Sequence, residues 1–368
     1  MSLYIHVAAI HRVNDTRIYL RQAYRLNILG FDTLVIHNHP DSSSQEKPSC
    51  HASSIYHFTR LPKARFFFGL KLVFFLISSR PNVIHFHEPD LLVWLPLMRL
   101  VFSRTVFIYD VHEDLQSQIL DSKKIPFILK PLFIYGSIFF EILAVSLCHV
   151  IAVATPQILK KKHFRLSNNL CLLPNYPLEA RCEILCEPKR FRLTYIGGIS
   201  IIRGIMSILD AIVLDSSIKL TLAGPIEEGL IVQLQEHPAW KQVEYYGVIA
   251  YEVAMKLMAE SYCSLLLFNK AANTVDSLPN KIFEYLSMGA PVVCSDFTGW
   301  KSIVSCKELG IPVDPFDSKE VLSAIQYYRS QADVIHYSKY RSEYVKINFT
   351  FDSYHDNLLK VIETFLAK

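Results

Sequence analysis

Residues with the types and spacing to do chemistry fall in a few short stretches of this chain. The densest is Leu278-Pro-Asn-Lys-Ile-Phe-Glu-Tyr-Leu-Ser-Met-Gly-Ala-Pro-Val-Val-Cys-Ser-Asp296. Pro279 and Asn280 open a helix, and Ile282, Phe283 and Leu286 follow at helical spacing. Gly289 stands where a left-handed cap would close that helix, and Pro291 prevents its continuation. The helix start offers unpaired backbone N–H groups and a positive dipole end, with Lys281 and Glu284 in or near the first turn. Such an end can hold a phosphate, and a nearby carboxylate can accept hydrogen bonds from sugar hydroxyls. On local grounds alone, Glu284 could equally complement the helix dipole while Lys281 stays solvated.

A second stretch is Gly197-Gly198 with Arg203-Gly204, at the end of an apolar run over residues 192–196. Glycines at a strand end permit close backbone approach, and an arginine beyond them can neutralise a diphosphate. The spacing fits neither a Walker A loop nor a G-x-G-x-x-G fingerprint. Three more polar clusters follow apolar runs in the first half: His11-Arg-Val-Asn-Asp-Thr-Arg17, His85-Phe-His-Glu-Pro-Asp90 and Asp110-Val-His-Glu-Asp114. Open α/β sheets keep their ligands at carboxyl strand ends, which makes these clusters candidates. The plainer alternative has Asp15 capping a helix, Arg17 solvated and His112 a hydrogen-bonded structural residue. Paired histidines and carboxylates can hold a metal, but no Asp-x-Asp motif occurs, so metal-free chemistry is expected.

The elements that must position these residues alternate. Apolar runs at 3–10, 33–37, 82–87, 105–109, 150–154 and 170–173 read as strands, and residues 17–29 as a helix closed by Gly30. The pattern restarts at 192–196, 218–224, 243–246 and 262–268, with helices at 251–259, 317–327, 332–346 and 352–367. Strand–helix–strand units of this length imply parallel sheets with helices on their faces. The Pro-punctuated, charged stretch from Pro174 to Pro188 reads as a linker. The length of 368 residues suits two domains, and 51% hydrophobic with 20% charged residues suffices for full cores. A formal charge of +4 with no basic-aromatic recognition motif gives no support to nucleic-acid binding. Most of the eight cysteines lie in apolar runs without zinc-ligand spacing, which suits a reducing compartment. The N-terminus shows no basic segment ahead of its apolar run, so a secretory signal is not supported. Residues 125–147 are the most apolar, broken by Lys130, Pro131 and Glu141, and read as a core helix or an interfacial one.

The run Asn280-Lys281-x-Phe-Glu-Tyr-x-x-x-Gly-x-Pro-Val-Val resembles the C-terminal signature of retaining GT-B glycosyltransferases of family 4, the glycosyl transferases group 1. Tyr-Asp-Val-His-Glu and the His11…Asp15-Thr-Arg17 loop resemble segments of the same family's first domain. The resemblance implies an α/β chain of two Rossmann-like domains with parallel sheets facing a cleft. These would be an acceptor domain at 1–178, a donor domain at 190–348, and a final helix at 349–368 crossing back to the first domain.

It further implies that Glu284 binds the donor ribose, that Arg203 and Lys281 bind its diphosphate, and that His112 sits beside the transferred sugar. Gly197, Gly198, Gly224, Gly247, Val248, Ser277, Asn280 and Phe283 would line the donor, and His11, Asp15, Arg17, His87 and Glu113 the acceptor side. Two positions depart from the family pattern. Ser277 replaces a glutamate that commonly contacts the donor sugar, and Gly198 and Ile199 stand where an arginine often follows the first glycine.

The implied activity is hexosyl transfer from a nucleoside-diphosphate sugar, with no further cofactor and no metal. The acceptor would be a glycan, lipid-linked in surface polysaccharide or lipopolysaccharide assembly, met in the cytoplasm by a chain peripheral to the inner membrane face. Two alternatives stay open: a sugar-nucleotide epimerase of the same fold, and a non-catalytic partner subunit retaining it.

Overall fold

Apolar strands too short to bury themselves, joined by helical crossovers, pair in parallel. The computed structural model has two wholly parallel sheets. It describes residues 2–8, 15–37, 52–54, 62–112, 114–122, 124–179, 192–270, 272–275, 278–330 and 336–367. The chain divides into two compact units, Met1–Asn175 with Phe351–Lys368, and Tyr176–Thr350.

The first unit holds β1 (Leu3–Ala8), β2 (Asp32–His37), β3 (Ala52–Ser54), β4 (Val83–Phe86), β5 (Val106–Val111), β6 (Val150–Val153) and β7 (Leu170–Leu172). Their order is β3-β2-β1-β4-β5-β6-β7, so the winding reverses between β1 and β4. Register pairs His6 with His85 across that reversal. The strands are buried almost throughout, and the core packs Ile5, Val7, Ile84, Phe86, Phe107 and Ile151 against the helix Pro62–Ser79 and its neighbours.

The helix expected over 17–29 opens as a wide π-helical stretch, Ile18–Ala23, before the α-helix Tyr24–Ile28. Gln22 N–H donates to the Arg17 carbonyl at 3.1 Å, which stacks two residues five apart and lets both side chains reach Asp110. The last helix, Phe351–Leu366, packs on β5, β6 and β7, as expected of a helix returning to the first unit. Arg25 holds it by Asp352 (2.9 Å) and Asp356 (2.8 Å).

The second unit holds β8 (Arg192–Ile196), β9 (Leu220–Ala223), β10 (Val243–Tyr245), β11 (Ser261–Leu266), β12 (Val292–Ser295) and β13 (Gly310–Val313), in the order β10-β9-β8-β11-β12-β13. Here the winding reverses between β8 and β11. Leu193, Tyr195, Leu220, Leu222, Leu265 and Val293 form its core with the amphipathic helices Ile205–Ile212 and Ser318–Ser330.

The helix Lys130–Leu147 is not a core element. Only Glu141 and Ala144 on it are buried, whereas Phe127, Ile128, Leu132 and Tyr135, on and just before it, are 69–88% exposed. Residues Phe127–Leu147 are long and apolar enough to cross a membrane by length and composition. Glu141, however, faces inward, 2.7 Å from His163, with the Gln116 amide donating to it at 2.8 Å. Of the two readings open from sequence, this exposure removes the core one.

Candidate functional site

In the second unit, three strands end in glycines that knit together. Gly197 N–H donates to Ala223 O (2.9 Å), and Gly224 N–H donates to Gly247 O (2.8 Å). Gly224 has φ +134°, and a β-carbon there would stand 1.8 Å from the Gly197 carbonyl oxygen, so only glycine permits this approach. The turns beyond β8 and β9 are bonded to each other through Ile199, whose N–H donates to Pro225 O at 2.9 Å. Gly204, at φ +76°, lets the turn pass against Leu267 beyond β11, where a β-carbon would be 1.5 Å from the Leu267 oxygen. Arg203 lies exposed on this turn, its guanidinium against Gly198 and 5.8 Å from the Phe268 ring centroid. Among the described residues it has no ion-pair partner.

The helix Asn280–Ser287 starts at the same carboxyl edge of the sheet. Pro279 caps it without a side-chain bond, and the chain leaves through Gly289 at φ +75°, as its sequence suggests. Tyr285 fastens the helix to the end of β8: Ile196 N–H donates to its hydroxyl oxygen at 2.8 Å. Glu284, 2% exposed, is the next residue along, and Lys281 Nζ lies 2.5 Å from its Oε2. Lys281 is therefore committed to Glu284, where the sequence suggested separate partners for the two. Phe283 is 1% exposed, with Tyr176 (4.7 Å) and Phe349 (5.0 Å) against its ring, and packs the helix down instead of lining the strand-end surface. Asn280 is half-buried at the helix start and Val248 is 68% exposed beside Gly247. Ser277 lies outside the described residues.

The first unit gathers its polar clusters around Asp110, which is fully buried on β5. Arg17 Nε donates to Oδ2 (3.0 Å), Arg17 Nη2 to Oδ1 (2.5 Å), and Gln22 Nε2 to Oδ2 (2.8 Å). Arg17 also donates to Leu173 O (2.8 Å) and Asn175 Oδ1 (2.7 Å). Burial by itself would raise the Asp110 pKa, yet the charges of Arg17 and His112 and hydrogen bonds from His87 and Arg17 hold it well below the ordinary carboxylate value. Asp15 caps the helix start, accepting from the Arg17 and Ile18 N–H groups at 2.8 and 3.0 Å. Arg17, by contrast, is buried and paired, not solvated.

Next to Asp110 runs a stack of imidazoles. His6 Nδ1 is 2.9 Å from His87 Nε2, and His87 Nδ1 is 3.1 Å from His112 Nε2 and 3.4 Å from Asp110 Oδ2. His85, stacked between His6 and His87, bonds the Tyr4 hydroxyl at 2.9 Å. Burial, then the neighbouring His87, lowers the pKa of both His6 and His85 well below 6.5, so both are neutral.

Two trios, His6/His85/His87 and His87/Asp110/His112, bring ligand-type atoms within 4.8 Å of one another. At the second trio a cation would compete with Arg17 for Asp110, whose Oδ2 already accepts from Arg17 and Gln22. His11 and Glu113 lie outside the described residues. Sequence inspection named His85 and Asp110 only as members of candidate polar clusters, and did not name His6. The signal was there in the i, i+2 spacings His85/His87 and Asp110/His112, which put each pair on one strand face. The partnership with His6 depends on strand register.

Residues 190–330 match the family model of glycosyl transferases group 1. No curated protein sequence matches the chain. Among solved structures, it is similar to Anabaena HepE in complex with UDP and glucose: 13% identity, 99% of this chain and 100% of that chain covered, TM-score 0.73. Sucrose-phosphate synthase from Thermosynechococcus elongatus is similar at 15% identity, with both chains covered in full and a TM-score of 0.72. A glycosyltransferase from Rickettsia africae is similar at 12% identity, with 99% and 98% covered and a TM-score of 0.72. At such identities the structures speak for the fold. By fold, then, this is a GT-B chain of two Rossmann-like units, and its second unit is the part that matches the glycosyl transferases group 1 model.

Proposed function

We propose that the protein is a hexosyltransferase of family 4 that takes a sugar from a nucleoside-diphosphate donor and transfers it with retention and without a metal. The observation that carries this reading is the tie between the Arg203 turn and the Glu284 helix, made by Tyr285 at the end of β8. The barrier in such a reaction is departure of the diphosphate, on which negative charge builds as the sugar becomes cation-like. Arg203, with no carboxylate partner among the described residues, and the uncapped start of the Asn280–Ser287 helix are preplaced for that charge. Glu284 would accept hydrogen bonds from the ribose, with Lys281 paired to it and holding it ionised.

UDP is the first nucleotide to test, because the similar HepE structure contains UDP and glucose. The test is calorimetric titration with UDP-, GDP- and ADP-sugars, followed by product analysis. One nucleotide sugar should bind and raise the apparent stability, and the Arg203→Ala variant should fail to turn it over. Absence of binding by all three removes the reading. Binding without hydrolysis or transfer turns it toward a partner subunit, and an epimerised donor toward an epimerase.

The acceptor in this proposal is a lipid-linked glycan of surface-polysaccharide assembly, met at the cytoplasmic face of the membrane. The support is the apolar face of the first unit. Phe127, Ile128, Leu132, Phe133, Tyr135 and Phe139 are 49–88% exposed, too many for an ordinary water-facing helix. Lys160, Lys162 and Arg165, exposed in or beside the short Phe164–Leu166 turn that packs on this helix, suit anionic headgroups, whereas Lys161 is paired with Asp114.

A further inference from the structure

Hydrogen bonding alone does not account for the histidines where β1 meets β4. Register sets His6 beside His85, and the i, i+2 step puts His87 on the same face as His85. All three are at most 3% exposed, and one ligand-type nitrogen from each lies within 4.8 Å of the other two. Among the described residues, His85 Nε2 is buried with no hydrogen-bond partner. Asp110 Oδ2, 3.9 Å from it, is beyond hydrogen-bond reach. A buried polar atom left bare typically costs about 1–3 kcal/mol, so its place in a cluster of imidazoles calls for an explanation. The other ring nitrogens are held as those of metal-bound histidines are. His87 Nδ1 faces the Asp110 carboxylate at 3.4 Å and His85 Nδ1 the Tyr4 hydroxyl at 2.9 Å, which leaves Nε2 of each ring as its ligand atom. His6 Nδ1 lies 2.9 Å from His87 Nε2, a separation that two ligands of one ion share when each is bound at about 2.0–2.1 Å.

We propose that His6, His85 and His87 form a closed, structural metal site of three imidazoles that takes Zn²⁺. Nitrogen ligands without a carboxylate suit zinc over magnesium or calcium, and a water completes the four-coordinate shell. The rings now stack at interplanar angles of 22–30°. Closing the site turns them until the ligand nitrogens stand about 3.3 Å apart, the tetrahedral edge for bonds of that length. Binding moves the proton of His6 from Nδ1 to Nε2, the tautomer change that a metal at Nδ1 requires. Asp110 is the outer partner of His87 and offsets part of the ion's charge while keeping its bonds to Arg17 and Gln22. The ion ties β1 to the end of β4 and takes no part in sugar transfer, so the inference stands apart from the transferase reading.

Co²⁺ is the probe, because a tetrahedral nitrogen-ligated ion absorbs strongly in the visible and the octahedral aqueous ion barely does. The full chain, stripped with a chelator and titrated with Co²⁺, should develop that absorption with an end point at one equivalent, and Zn²⁺ should bleach it. Zn²⁺ should also raise the midpoint of thermal unfolding, by mass action on the folded state. His85→Gln should abolish the absorption. Tyr4→Phe removes only the hydroxyl behind His85 and should weaken Zn²⁺ binding about 10–100-fold, as loss of an outer-shell partner does. His336→Gln, at an exposed position of the second unit, should change nothing. Absence of the visible band overturns the site and leaves a hydrogen-bonded cluster. A band that survives His85→Gln also overturns it and marks an adventitious ion only. Should His85→Gln not fold, spectra of the wild-type chain labelled with ¹⁵N-histidine decide: Zn²⁺ must shift the ring nitrogens of three buried histidines, and fewer than three overturns the site. Nucleotide-sugar binding, measured on stripped and loaded protein, should be equal in the two. Its absence from both is failure of the transferase reading alone.

Discussion

Arg17 and Asp110, 93 residues apart in sequence, meet in a two-point ion pair with side chains 5% and 0% exposed. Removing one member of a buried pair leaves the other charge without compensation, which typically costs about 3–5 kcal/mol. Arg17→Ala is therefore expected to lose that much stability in urea unfolding. Arg17→Lys should recover only part of it, because an ammonium cannot reproduce the fork that spans Oδ1, Oδ2, Leu173 O and Asn175 Oδ1. A loss below about 1 kcal/mol for the alanine variant would show that the pair does not hold this sheet end together.

Acid should destabilise the first unit well before its ordinary carboxylates titrate. His355, buried on the last helix, has its pKa pushed down to about 3 by burial and then by the charge of Arg25, with Asp110 opposing and Arg17 adding to the fall. Its unfolded value is near 6.5, so between pH 6.5 and 3 the unfolded chain binds a proton that the folded chain refuses. Stability is thus fully present above that window and falls as pH drops through it, by up to roughly 1.4 kcal/mol per pH unit for each such group. His6 and His85 are shifted in the same direction. Urea unfolding at pH 7, 6, 5 and 4 should show the decline, and His355→Phe should flatten part of it. An unchanged midpoint across that range would contradict the buried neutral imidazoles.

Gly224→Ala and Gly204→Ala test whether the strand-end surface of the second unit is as tight as it looks. The added carbons would lie 1.8 Å from Gly197 O and 1.5 Å from Leu267 O, both backbone atoms that cannot swing aside, and both positions have positive φ. Each variant should lose at least about 2 kcal/mol from backbone strain and displacement. Each should also weaken nucleotide binding more than Gly299→Ala, where a β-carbon meets nothing within 4 Å. Paired calorimetric and unfolding measurements distinguish a distorted pocket from a merely less stable one.

Arg203 offers the sharpest test of the donor site, because it is exposed and contributes little to folding. Losing one preorganised donor to a developing charge costs about 10²–10³ in rate. Arg203→Ala should show that loss in kcat with unfolding unchanged, and Arg203→Lys should restore part of it, since a point charge still meets a diphosphate. Near-wild-type turnover in the alanine variant would remove Arg203 from the site.

Much of this architecture was legible in the sequence, and the gaps have physical causes. Apolar runs bounded by glycine and proline marked most strands, because a parallel strand is covered on both faces and must be greasy throughout. β13 escaped notice because Gly310 and Pro312 interrupt its pattern. Short helices such as Leu95–Val101, Leu115–Asp121 and Thr298–Ile303 have too few turns for a period to stand out. At the site, the glycine turn, Arg203 and Glu284 were visible because backbone geometry and charge leave local marks. The Lys281–Glu284 pair is an i, i+3 contact within one helix, whereas the burial of Phe283 is a tertiary outcome. So is the meeting of His6 with His85 and His87, since a one-residue slip in β1 would have turned His6 to the other face.

The apolar helix of the first unit yields the last prediction. Phe127, Ile128 and Leu132 are 88%, 85% and 69% exposed, so their replacement by serine removes no core contact. Unfolding free energy should stay within about 0.5 kcal/mol of wild type per substitution. If the helix lies in a bilayer surface, each side chain contributes about 1.5 kcal/mol or more of apolar transfer, and losing three weakens partitioning about a thousandfold. Sedimentation with vesicles containing anionic lipid at low salt should therefore capture the wild-type chain and leave the triple variant in solution. Raising the salt should release part of the wild type, as the charges of Lys160, Lys162 and Arg165 are screened. Equal recovery of both proteins in the supernatant would mean that the exposed face does not meet lipid, and the membrane reading would fall while the donor site stood.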